Sequence, residues 1–231
     1  MPIVTLDYNK VRLAIECNTP VEEKYRVKAV SKEPWTVDFI ESIPAGAIFW
    51  DIGANVGPYS LIAASRGLNV VAIEPGFNNF AALCRNLAMN SQLERTLVLP
   101  LALSDRSGYD WFHFQDPRSG AASHILGGAR KQYFHRQLVR VATWDEIAAT
   151  LPLPKTLANY AKIDVDGGEL AALRGGVQVL ASLQGLLIEM APAVEGAITE
   201  LVQAAGLKLA ARFDERNGQP IGVAYGRFER G

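Results

Sequence analysis

The 231-residue chain is 49% hydrophobic and 20% charged, which suits one α/β domain with a full core and asks for no second one. Its 23 basic and 24 acidic residues leave a formal charge of -1, which excludes a global pull toward nucleic acid or an anionic membrane. Cys17 and Cys84 match no metal or redox spacing, the start MPIVTLDYNK has no signal-peptide pattern, and no apolar run reaches membrane-spanning length. The expectation is a soluble cytoplasmic protein, with a homo-oligomer left open.

In chain order, residues 1–33 alternate apolar and polar in places, as in Lys10-Val11-Arg12-Leu13-Ala14-Ile15. They predict an extension of short strands ahead of a main domain at 34–231. Pro34 opens a helix through Trp35, Phe39 and Ile40 that Pro44-Ala45-Gly46 stops. Strands and helices then alternate: a strand at 48–51, a helix at 58–66, a strand at 70–74, a helix at 77–89 and a strand at 96–101. Alternation of this kind predicts a parallel sheet. An insertion at 106–142 follows, with strands at 109–114 and 138–142 around a stretch rich in Gly, Ser, His and Arg at 115–137. Long loops of that composition commonly carry function. Thr143-Trp144-Asp145-Glu146 reads as a helix cap. A strand at 161–165, a helix at 169–180, a strand at 185–190, a helix at 194–205 and a hairpin at 207–213 and 221–228 complete the chain. The fold class is α/β, a doubly wound, mostly parallel, Rossmann-like seven-stranded sheet ending in an antiparallel hairpin. By analogy of fold alone, class I methyltransferases share it.

The most informative segment is FWDIGANVGPYS at 49–60, an apolar strand ending in Asp51, then Gly53 and Gly57, then residues able to start a helix. A second apolar run, Val70-Val71-Ala72-Ile73, closes on Glu74, placed to accept hydrogen bonds from ribose hydroxyls. A dinucleotide turn usually reads G-x-G-x-x-G and seats a pyrophosphate on a helix N-terminus. Here the spacing is G-x-x-x-G, and the Asp51 carboxylate would repel phosphate. It better suits a cationic ligand such as the sulfonium of S-adenosylmethionine. A tight strand-to-helix turn would by itself also account for the two glycines.

A second cluster, Lys162-Ile163-Asp164-Val165-Asp166-Gly167-Gly168-Glu169, sets three acids at a strand-to-helix junction. Lys162 and Asp164 share a strand face, and a carboxylate ending a buried strand needs a partner such as Lys162 or a ligand. Glu169 reads better as a helix-capping acid. Taken together, FWDIGANVGPYS, VVAIEP, ALSD, TWDE, KIDVDGGELAALRGG and LLIEM resemble, in order and spacing over residues 48–190, the FkbM-type S-adenosylmethionine-dependent methyltransferases. The resemblance implies a class I methyltransferase fold, S-adenosylmethionine as cofactor, and O-methylation of sugars, glycolipids or polyketide natural products. By motif, it places Asp51, Gly53, Asn55 and Gly57 around the methionine part of the cofactor and Glu74 on its ribose. Ser104 or Asp105 of ALSD would stand at the adenine. Asp166 stands where the family more often has glutamate, and Gly168 where it often has alanine.

Methyl transfer to oxygen needs an in-line approach and a base for the hydroxyl. The three histidines, His113, His124 and His135, all lie in or beside the insertion. His124, in the small-residue stretch 119–124, ranks first as base, His135 next, and Asp164 is the carboxylate alternative. Asp164 also counts among the cofactor-binding residues. Arg118, Arg130, Lys131, Arg136 and Arg140 give the insertion a basic bias that suits an anionic group or a solvated loop. Trp111, Phe112, Phe114, Tyr133 and Phe134 suit sugar stacking or plain core packing. The expected partner is a small-molecule hydroxyl acceptor, and no full ligand set for a metal is visible. Two rivals stand: an NAD-dependent oxidoreductase, which the missing third glycine disfavours, and a non-catalytic cofactor-binding domain.

Overall fold

A computed structural model describes residues 2–127, 135–154, 157, 159–216 and 218–231. The chain opens with an antiparallel ribbon, β1 (Ile3–Thr5) and β2 (Ala14–Glu16). It then turns helical: a π-helical turn at Glu22–Arg26, α1 (Ala29–Lys32) and α2 (Pro34–Ser42). The strand-rich extension is thus only half realised. The reason is a contact distant in sequence: the Asp7 carboxylate accepts the Val30 and Ser31 amides at 2.9 Å each, satisfying first-turn donors that no local residue caps. Leu6, Tyr8, Leu13 and Ile15 are buried in the same apolar cluster as Phe39 and Phe49, so the extension packs on the main core.

The alternating stretch follows as β3 (Ile48–Ile52), α3 (Pro58–Ser65), β4 (Asn69–Ile73), α4 (Phe77–Met89) and β5 (Thr96–Leu99). Pro100 has no amide to give a ladder, so the strand expected over 96–101 breaks there. The chain continues as β6 (Leu101–Leu103) in a separate sheet with β7 (Gly108–Phe114), β8 (Ile125–Leu126) and β9 (His135–Ala142), in the order β6-β9-β7-β8. Next come α5 (Trp144–Thr150), β10 (Asn159–Ile163), α6 (Glu169–Arg174), α7 (Val177–Ser182), β11 (Leu183–Met190), α8 (Glu195–Ala204), β12 (Leu207–Arg216) and β13 (Gln219–Arg230). The Thr143 hydroxyl does cap α5, accepting the Glu146 amide at 3.2 Å. The helix expected over 169–180 is two helices, split at Gly175-Gly176. A Cβ on Gly175 would stand 2.0 Å from the Ser104 carbonyl oxygen, and one on Gly176 would stand 2.7 Å from the Trp144 ring.

The main sheet has seven strands in the order β12-β13-β11-β10-β3-β4-β5. From β11 to β5 every pairing is parallel, and β13 and β12 join antiparallel, so the sheet is mixed. Alternate residues feed two cores: Phe49, Val70, Ala72 and Leu187 face α2, α3 and α4, while Ile48, Trp50, Ile52 and Ile188 face α5 to α8. The carboxyl ends of β3, β4, β10 and β11 open on one edge, where polar residues replace the apolar rows.

Candidate active site

At the end of β3 the chain must turn at once into α3, and Gly53 (φ +84°), Asn55 (φ 53°) and Gly57 (φ +89°) all take the left-handed conformation. The glycines answer to neighbours. A Cβ on Gly53 would lie 1.9 Å from the Asp164 carbonyl oxygen, and one on Gly57 would lie 2.4 Å from Leu83 Cδ1. Seated so tightly, the turn aims the Asn55 amide at Glu74: Asn55 N donates to Oε2 at 2.9 Å and Gly76 N to Oε1 at 2.8 Å. Burial, opposed by these two amides, pushes the Glu74 carboxyl up to about 7.

Asp51 lies one row below, fully buried, and faces Lys162 and Ser60. Its Oδ2 accepts the Ser60 hydroxyl at 2.6 Å, while Oδ1 has no hydrogen-bond partner and stands 3.9 Å from Lys162 Nζ. Burial raises its pKa, and Lys162 offsets part of the rise. Lys162 Nζ is 3.3 Å from Asp164 Oδ2. Burial opposes the charge on Lys162, but Asp164 and Asp51 outweigh it and raise its pKa. Burial likewise opposes ionisation of Asp164, yet Lys162 prevails and holds that carboxyl at about 2.

Sequence alone does not single out two further members. Glu189, near the end of β11, lies beside Asp164 because the parallel register pairs Ile163 with Ile188. The two carboxyls share a hydrogen bond, and burial, then the Asp164 charge, push Glu189 up to about 9. Tyr225 of β13, opposite Glu189 in the ladder, donates its hydroxyl to Asp164 Oδ2 at 3.3 Å. The only sequence signal is in LLIEM, an acid near the end of a buried strand like Glu74 and Asp164. Asp166 has φ 56° and accepts the Ser123 amide at 2.7 Å. Although the residue is exposed at its rim, desolvation by the surrounding segments and then the Asp164 charge push its carboxyl up to about 6. Glu169 is structural, as its type suggests: Oε1 accepts the Val165 and Gly167 amides at 3.1 Å each and braces the turn.

The segment 116–124 lies across this edge. The Ala121 carbonyl accepts Asn55 Nδ2 at 2.8 Å and Asn79 Nδ2 at 3.3 Å, and the Gly120 amide donates to Asn79 Oδ1 at 2.8 Å. His124 is buried on the Glu74 side, its ring 5.5 Å from Phe112 and 5.1 Å from Phe114, and burial pulls it down to about 4. His135 is exposed at the start of β9, opposite Phe114. Neither is hydrogen-bonded to Asp164 or Asp166. Ser104 sits at the end of β6 with its carbonyl against Gly175, and its hydroxyl donates to Asp105 at 3.3 Å; no hydrogen bond ties either to the Glu74 group. Of the basic residues, Arg118 pairs with Asp116, Arg140 pairs with Glu146, and Arg136 lies 4.1 Å from the Trp111 ring centroid. Arg130, Lys131, Tyr133 and Phe134 lie outside the described residues.

A mixed sheet whose parallel strand ends converge on a glycine turn and a buried acid is the architecture of a class I methyltransferase fold. Comparison with solved structures agrees. A precorrin-6y C5,15-methyltransferase from Geobacter metallireducens superposes with TM-score 0.51 at 12% identity, over 94% of each chain. The magnesium protoporphyrin IX methyltransferase of Synechocystis, solved with bound S-adenosylmethionine, gives 0.53 at 12% identity, over 94% of this chain and 86% of that one. Residues 51–206 match the methyltransferase FkbM domain, and the chain belongs to that family. It is 28% identical over 191 residues to a hexuronic acid methyltransferase, AglP, of Haloferax volcanii, covering 81% of this chain and 74% of that protein. The chain is a methyltransferase and its cofactor is S-adenosylmethionine. The residues fit that cofactor: Glu74 presents a two-oxygen acceptor beside the glycine turn, and the Asp164 carboxylate stands over the neighbouring strand end.

Proposed function

We propose that this chain methylates a hydroxyl oxygen of a sugar or glycoconjugate, with polyketide hydroxyls as the second acceptor class. The observation that carries the reading is the pair of carboxylates, Asp164 and Asp166, at the strand end beside the turn: Asp164 accepts the Tyr225 hydroxyl at 3.3 Å, Asp166 accepts the Ser123 amide at 2.7 Å, and both are acceptors for a substrate hydroxyl. The similarity to a hexuronic acid methyltransferase supports it.

S-adenosylmethionine supplies the methyl group and leaves as the neutral thioether. Glu74, in its ionised form, would accept the ribose hydroxyls. Asp164, held ionised by Lys162, would set a negative charge near a bound sulfonium. Asp166 takes the acceptor's hydroxyl proton as the oxygen gains the methyl. A carboxyl near about 6 is basic enough for this near neutral pH, whereas one at about 2, as in Asp164, is a weak base. The same comparison favours Asp166 over His124, which is both less basic and wedged against Phe112 and Phe114.

The test is transfer from S-adenosylmethionine to a panel of hexoses, hexuronates, polyketide alcohols, amines and thiols, followed by mass spectrometry. Products one methylene heavier should appear among the hydroxyl acceptors, and Asp166→Asn should lower kcat about 10²-fold or more. Transfer confined to amines or thiols would refute O-methylation, and NAD binding in place of S-adenosylmethionine binding would refute the cofactor site.

A further inference from the structure

The N-terminal extension lies outside the residues that match the FkbM domain, yet it sends one cation into the site. Arg26 ends the π-helical turn Glu22–Arg26, a type of helix that recurs at functional sites. Its Nε donates to the Gly120 carbonyl at 2.8 Å. The next residue, Ala121, is the one whose carbonyl receives Asn55 Nδ2, and the Asn55 amide donates to Glu74. Two hydrogen-bonded steps therefore join Arg26 to the cofactor turn. The guanidinium lies close enough to Glu74, Asp164 and Asp166 to favour the charged form of each, and to His124 to disfavour it.

Among the described residues, Arg26 forms no ion pair and no hydrogen bond beyond that to Gly120. Its two terminal nitrogens, the pair that grips a carboxylate in a planar fork, are uncommitted. The fold spends an arginine on a single carbonyl in a site otherwise crowded with acids. A glutamine, whose amide nitrogen is as many bonds from Cα as the arginine Nε, would serve the carbonyl as well.

We propose that Arg26 is a binding residue for a ligand carboxylate, either the amino-acid carboxylate of S-adenosylmethionine or a carboxylate on the acceptor. This rests on the methyl-transfer reading above, and the two sources can be told apart by binding. With the full-length protein, calorimetry would compare S-adenosylhomocysteine with 5′-methylthioadenosine, which lacks the amino-acid portion. D-glucuronate and D-glucose would then be compared in the presence of S-adenosylhomocysteine.

Arg26→Gln keeps a donor for Gly120 and removes the charge. If the cofactor is the source, it should weaken S-adenosylhomocysteine about 10- to 100-fold while leaving 5′-methylthioadenosine unchanged. If the acceptor is the source, S-adenosylhomocysteine is unchanged and glucuronate loses its preference over glucose. Arg26→Lys should give intermediate values in whichever arm moves. The proposal is overturned if Arg26→Gln binds S-adenosylhomocysteine and glucuronate as the wild type does. It is also overturned if both adenosyl compounds weaken equally, which would make Arg26 a brace for the 116–124 segment. If the wild type binds neither adenosyl compound, the methyl-transfer reading fails first and this proposal with it.

Discussion

Glu74→Gln separates what the site needs from what the fold prefers. Burial pushes the Glu74 carboxyl from its ordinary 4.5 up to about 7. For an acid, a raised folded pKa means that the native state binds the extra proton between those two values. Stability therefore falls as pH rises from about 4.5 to about 7 and then levels off. The displacement corresponds to about 3 kcal/mol of destabilisation above pH 7. Glutamine carries no charge and lacks this dependence. It also turns an amide N–H toward the Asn55 or Gly76 amide, at a cost of about 1 kcal/mol. The net expectation is a variant about 1 to 2 kcal/mol more stable than wild type at pH 8 and slightly less stable at pH 5. Its S-adenosylmethionine affinity should nonetheless fall about 10- to 100-fold, because a neutral amide accepts ribose hydrogen bonds less strongly than a carboxylate. Urea unfolding of both proteins across this pH range, plotted as a difference, isolates Glu74 from the other groups that titrate there. A flat difference would refute the claim that Glu74 is buried at the expense of its charge, and unchanged cofactor affinity would refute its place at the ribose.

Three further outcomes follow from the same geometry. Gly53→Ala meets the Asp164 carbonyl at 1.9 Å and should prevent folding or cofactor binding, whereas Gly46→Ala, with the same φ of +84° and nothing within 4 Å, should cost only about 1 to 2 kcal/mol by urea titration. Lys162→Met strands the Asp51 and Asp164 carboxylates and should cost about 3 to 5 kcal/mol; adding Asp51→Asn should recover part of it, and a variant as stable as wild type would show that the pair is solvated. The rate of methyl transfer should fall as pH drops through about 6, where Asp166 takes up a proton. The surviving activity of Asp166→Asn should lack that limb, and a limb retained in the variant would place the base elsewhere.

Residues whose role follows from their own stretch of backbone are readable from sequence. The 49–60 segment declares a strand, a tight turn and a helix start, and Gly53, Asn55 and Gly57 do occupy the left-handed conformations that such a turn demands. Glu74 is readable for the same reason, as an acid closing a buried strand. The break at Gly175-Gly176 is marked by the glycine pair itself, but the reason no larger residue fits there, the Ser104 carbonyl and the Trp144 ring, lies far away in the chain. The helical second half of the extension, whose cap is Asp7, is not readable in this way.

The functional reading of individual acids shows the same limit more sharply. Asp51, placed beside the cofactor by motif, is 0% exposed and holds the Ser60 hydroxyl and the Lys162 ammonium. Asp166, one of three acids at the same strand-to-helix junction, has φ 56° and accepts the Ser123 amide at the edge of the site. What distinguishes the two is depth along the strand axis. The row containing Asp51 and Lys162 lies inside the sheet, where a charge must find its partner within the protein. Two residues further on, Asp164 emerges far enough to meet Tyr225 and Glu189 while still leaning on Lys162, and Asp166 clears the sheet altogether. An acid's chemistry here is set by how many residues separate it from the last ladder pairing of its strand. That count depends on where β10 and β3 stop pairing, at Ile163 with Ile52, which is a fact of register rather than of sequence.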